Sequence, residues 1–95
     1  MNIGQAIKRA RKQAKLPQNE LSRKVQISQT ALSQIENGVK KPSGKTLKKI
    51  VDALGTCEFL LLIDSVEQSD IPEGKQDSFD KWYPSLKELA EKIFK

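Results

Sequence analysis

Between Gln29 and Asn37 the chain reads QTALSQIEN, with amides or hydroxyls at Gln29, Thr30, Ser33, Gln34 and Asn37 and only Leu32 and Ile35 as large apolar residues. The chemistry of such groups is hydrogen bonding, and a helix that merely packed would not need so many of them on one exposed face. Catalysis has no foothold. There is no histidine, no Gly-rich phosphate loop, no metal-ligand spacing and no nucleophile beside a base, so no catalytic residue, metal or cofactor is assigned. Taken alone, a polar run is more often a solvated face than a binding face. Its surroundings decide.

The charge is divided along the chain. Residues 1–56 hold nine lysines and three arginines against Glu20, Glu36 and Asp52, a net charge of +9. Residues 57–95 hold five lysines against nine acids, a net charge of −4. The first part suits a polyanion and the second should avoid one. Ninety-five residues make one small domain near the size at which a single core suffices. One cysteine, Cys57, excludes an intrachain disulfide and fits a reducing cytoplasm. It reads as a small buried apolar residue. The apolar run from Phe59 to Ile63 falls far short of the ~20 residues a membrane span needs, so no membrane is expected.

The elements that must position the polar run are helical. Ile3, Ala6, Ile7, Ala10 and Ala14 predict a helix over 3–14, with Asn2 and Gln5 as a cap pair. A second helix begins at Gln18 with Leu21 and Val25 inward. The third follows Ser28, a good N-cap, and stops at Asn37-Gly38. Ser43 caps a fourth, in which Leu47, Ile50, Val51 and Leu54 recur at i, i+3, i+4 and i+7, and Gly55 ends it. Phe59, Leu62, Ile63 and Val66 predict a fifth over 57–66 with Thr56 as cap, a short strand being the rival over 57–63. Residues 67–77 read as a linker. Beyond it Phe79, Trp82, Tyr83, Leu86, Leu89, Ala90, Ile93 and Phe94 keep helical phase across Pro84, which should kink or break the helix.

Two short helices joined by a tight turn inside a basic helical domain are the arrangement that lays a helix in the DNA major groove. Over residues 3–66, "IKRARKQAKLPQNELS", "ISQTALSQIENG" and "KKPSGKTLKKIVDALG" resemble the helix-turn-helix domain of the phage repressor and Cro class (XRE-like). The resemblance implies an all-α fold, a five-helix lambda-repressor-like domain over 1–66, followed by a linker and amphipathic helical extension over 67–95. It implies that Gln29, Thr30, Ser33 and Gln34 contact bases, since Gln pairs with adenine and hydroxyls donate or accept at either base edge. Gln18 and Asn37 match positions that touch the DNA backbone, and Lys40, Lys41 and Lys45 lie on the same side. Arg11 and Glu36 match a structural ion pair tying the first helix to the third.

Two positions depart from the family pattern. Pro17 stands where a hydroxyl cap is usual, a loss of about 1 kcal/mol. Gln26 stands where glycine usually supplies positive φ, at a cost of roughly 1 to 2 kcal/mol. Lys48 and Lys49 read as an ordinary solvated face. The resulting expectation is a repressor that binds double-stranded DNA as a homodimer on a pseudo-palindromic operator. The alternative is an antitoxin-like protein-interaction module on the same scaffold. The stripe Phe79, Trp82, Leu86, Ala90 and Ile93 reads as packing surface that either folds back on the chain's own first and fifth helices or pairs across a two-fold axis; assembly is the expectation, with a protein partner as a further use of the face.

Overall fold

The computed structural model describes residues 1–94, the side chain of Phe94 excepted. Phe94, which the spacing places in phase with the C-terminal stripe, therefore lies outside the described side chains. Among the described residues the fold is all-α. The helices are α1 (Ile3–Gln13), α2 (Gln18–Val25), α3 (Gln29–Glu36), α4 (Gly44–Leu54), α5 (Glu58–Asp64) and α6 (Gln76–Phe94), with a 3-10 turn at Gln68–Asp70 before α6. None of them is long and apolar enough to cross a membrane.

Local chemistry accounts for the starts and stops. Asn2 Oδ1 accepts the Gln5 N–H at 3.1 Å, Ser28 Oγ the Ala31 N–H at 3.0 Å and Ser43 Oγ the Thr46 N–H at 3.2 Å. Each satisfies one of the backbone donors a helix start leaves unpaired. Pro17 precedes α2 and caps nothing with its side chain. The cap of α5 is Cys57 rather than Thr56, again with no side-chain hydrogen bond, and the helix is shorter than the spacing predicts, ending at Asp64. Residues 58–64 are helical, which removes the strand reading.

Gln26 does adopt the left-handed conformation, φ 64° and ψ 40°, and its own N–H and that of Ile27 return to Arg23 O and Ser22 O. Glycine there would relieve roughly 1 to 2 kcal/mol of backbone strain and give back about 0.4 to 1 through a freer unfolded chain. Gln26→Gly is therefore expected to raise the melting midpoint by a few degrees. A lower midpoint in a thermal scan would mean that the Gln26 side chain holds the turn.

One apolar cluster unites the first five helices: Ala6 and Ile7 of α1, Leu21 and Val25 of α2, Leu32 and Ile35 of α3, Ile50 and Val51 of α4, and Leu61 of α5. A second, smaller cluster seats α6 on α5 through Leu60, Ile63 and Ala90, with Cys57 and Tyr83 packed against them. Around that seam the Tyr83 hydroxyl donates to Ile63 O, and Asp64 pairs with both Arg9 of α1 (3.0 Å) and Lys87 of α6 (3.2 Å). Ahead of α6, the Met1 ammonium donates to Asp70 at 2.6 Å and holds that carboxyl below its ordinary pKa, with help from the Glu67 N–H.

Two expectations for α6 are narrowed. Of the kink or break expected at Pro84, the break does not occur, and the helix continues through it. Proline removes the bond that Asp80 O would accept, but Tyr83 just before it and Lys87 and Ala90 just after it are held on α5. The stripe is split: Ala90 is buried within the chain in the α5 seam and Phe79 is half-buried with its ring stacked on Tyr83 at 4.5 Å, whereas Trp82, Leu86 and Ile93 stay open and Leu89 joins them on the outer face.

Candidate nucleic-acid interface

Helix α3 has two faces, set by its sequence. Leu32, Ile35 and Glu36 are buried, whereas Gln29, Thr30 and Gln34 are exposed and Ser33 is half-buried. With α2 packed beside it, the outer face forms a shallow concavity of about 340 Å³ lined by Gln18, Gln29, Thr30, Ser33 and Gln34. The structure thus gathers the four side chains named as base-reading candidates, and adds Gln18 to them.

Gln18 is more than a neighbour. Its Nε2 donates to Glu36 Oε1 at 3.2 Å and its Oε1 accepts from Gln29 Nε2 at 3.4 Å. Glu36 is in turn gripped by Arg11, whose Nε and Nη2 reach its two carboxylate oxygens at 2.7 and 3.1 Å, while Nη1 donates to Leu16 O at 3.1 Å. A continuous hydrogen-bonded chain therefore runs from the α1–α2 turn, through the interior, to the first side chain of the exposed face. Fork-to-carboxylate geometry of this kind is the strong form of an ion pair and fixes orientation as well as distance. It holds α3 in rotation as well as in place.

The remaining candidates sit around the concavity rather than in it. Asn37 caps the end of α3 and its Nδ2 donates to Ser33 Oγ at 3.4 Å. Lys40 and Lys41 are exposed on the connection after α3, whose turn is closed by the Val39 and Lys40 N–H groups on Gln34 O. Lys45 is exposed in the first turn of α4. No described contact links these lysines to the concavity.

One positioning residue escapes the sequence reading. A Cβ placed on Gly4 would lie 2.3 Å from Ile35 O and 2.7 Å from Glu36 O, so α1 crosses the end of α3 at a distance only glycine permits. The only signal in the sequence was a glycine inside a helical pattern, a placement that costs about 1 kcal/mol against alanine unless packing demands it.

Comparison with known proteins agrees with this geometry. The helix-turn-helix family model matches residues 7–62, which takes in part of α1, all of α2 to α4 and most of α5. The immunity repressor protein of Bacillus phage phi105 is 42% identical over 55 residues, which cover 58% of this chain and 38% of that protein. The chain thus matches well under half the length of that relative. No solved structure matches. With more than half of its residues in the family match and the α2–turn–α3 unit built as described, the chain belongs to the helix-turn-helix family.

Proposed function

We propose that this protein is a sequence-specific transcriptional repressor of the cytoplasm, which lays α3 in the major groove of double-stranded DNA and binds a pseudo-palindromic operator as a homodimer. The observation that carries the reading is the concavity over α3, where Gln18, Gln29, Thr30, Ser33 and Gln34 converge on a helix whose opposite face is locked into the core. In this reading Gln29, Thr30, Ser33 and Gln34 meet base edges. Gln18, Asn37, Lys40, Lys41 and Lys45 meet the phosphate backbone. Arg11 and Glu36 serve structure. Residues 1–66 form the DNA-binding body and residues 67–95 the appended linker and helix. The net charge of +9 on residues 1–56 supports a polyanionic partner. The immunity repressor relative supports repression over activation.

Sequencing of genomic fragments captured by the protein tests the reading and yields the operator. On that operator, Gln29→Ala or Gln34→Ala should lose roughly 1 to 3 kcal/mol while binding to random DNA hardly changes. Lys41→Ala should weaken both and lower the salt slope by about one unit. Anisotropy titrations at several salt concentrations separate the two. If the glutamine variants lost equally on both DNAs, this helix would not read bases.

A further inference from the structure

The outer edge of the α5–α6 seam carries apolar surface that the fold leaves open. Trp82, Leu86, Leu89 and Ile93 of α6 are 67, 47, 54 and 62% exposed, and Phe59 and Leu62 of α5 are 47 and 37% exposed. These six residues form one patch, as helical phase requires. On α6, Leu86 and Lys87 flank the Tyr83–Ala90 line on opposite sides, since each residue turns the helix by about 100°. On α5, Phe59 and Asp64 flank the Leu60–Ile63 line in the same way. Lys87 is bonded to Asp64 at 3.2 Å, so both lie on the edge facing α1. Leu86 and Phe59 must then share the other edge. Trp82, Leu89 and Ile93 follow Leu86, and Leu62 follows Phe59.

We infer that this composite patch is the surface on which a second copy of the chain docks, an assignment that rests on the dimeric reading above and gives it residues. Three observations select a second copy. The stripe 82, 86, 89, 93 has the 4-3-4 spacing of a coiled-coil seam, which reads identically in both directions and so meets itself across a two-fold axis. The six exposures together amount to about three whole large side chains, on the order of 600 Å² per copy at roughly 200 Å² each, the upper end of the largest patch on an ordinary monomer. Two such patches give on the order of 1,200 Å², the lower bound of a specific interface. Finally, the rim carries both signs, Lys81 and Lys92 with Glu58 and Glu88, so two copies do not confront each other with a wall of like charge. The Lys81 ammonium lies 5.6 Å over the Trp82 ring and Lys92 pairs with Glu88 at 3.4 Å, which leaves the ring edge and the leucines to make the contact.

Trp82 is the single tryptophan of the chain, so its emission reports on the patch directly. In sedimentation of the full chain, a monomer–dimer equilibrium is expected, with Trp82 emission moving to shorter wavelength over the same concentration range. Leu86→Glu/Leu89→Glu and, separately, Leu62→Glu place charge on residues a third or more exposed, where the core is untouched. Each should weaken dimerisation by about 100-fold while leaving the affinity for a single operator half-site unchanged. A chain that stays monomeric with constant Trp82 emission overturns the assignment. So does an undiminished dimer in either variant. Loss of all DNA binding in the unaltered chain would instead refute the proposed function, and leaves the dimer measurement to stand or fall by itself.

Discussion

Arg11→Ala is expected to destabilise the fold by about 3 to 5 kcal/mol, because it strands a carboxylate that the fold has removed from water. Glu36 is only 2% exposed, and without Arg11 the Gln18 amide is its one remaining side-chain donor among the described contacts. The same change frees Leu16 O, which the guanidinium caps at the α1–α2 turn. Against a typical total stability of about 5 to 15 kcal/mol this is a large fraction. For a domain of this size it corresponds to a midpoint lowered by on the order of 15 to 30 °C. Urea unfolding measures it directly. Removing both charges together, as Arg11→Met with Glu36→Leu, should restore most of the loss, since an apolar pair of similar volume does not leave a lone charge behind. A single-variant loss below about 1 kcal/mol would mean that water replaces the guanidinium.

The second large effect has a sign that depends on the structure. At an ordinary helix-interior position, Gly→Ala stabilises by about 1 kcal/mol. At Gly4 it is expected to cost about 2 to 3 kcal/mol instead, because the added methyl would press on two backbone carbonyls rather than on the flexible end of a side chain. The helix preference is thus outweighed by the clash. Relief requires α1 to move off α3, which also pulls Arg11 from Glu36. Equilibrium unfolding should therefore show Gly4→Ala and Arg11→Ala to be non-additive, their combined loss falling short of the sum. A Gly4→Ala protein more stable than the parent would place the α1–α3 crossing wider than described.

These two cases mark where the sequence stops being readable. Asn2, Ser28, Ser43 and Gly55 announce their helix ends because capping is a matter of a few adjacent residues, and all four stand at those ends. The inward Leu32 and Ile35 are legible from period alone. So was the grouping of Gln29, Thr30, Ser33 and Gln34, which one helix face imposes. Gly4 was not legible, since its role is a contact with residues 31 and 32 positions away in the chain. The bonds from Gln18 to both Glu36 and Gln29 tie α2 to the two ends of α3, and no local pattern contains them. Lys15, at φ 56°, gave no sign of its left-handed backbone, being neither Gly nor Asn. The open part of the α6 stripe differs from the expected one at two positions, Phe79 and Ala90, because a residue at the border of a helical stripe fits either an open or a buried face. Only the position of α5 decides between them.

The two-faced build of α3 bears on how such a protein can diversify. Leu32, Ile35 and Glu36 hold the helix, while Gln29, Thr30 and Gln34 carry little of the core. If these outward residues read bases as proposed, a mutation at one of them alters what is recognised without first having to be rescued by a stabilising change elsewhere. Descendants of this chain can drift apart in target preference one side chain at a time, on an unchanged scaffold. Two of them in one cell could become deaf to each other's sites. Gln29 is the exception, tethered through Gln18 to the interior. It should be the slowest of the outward positions to change.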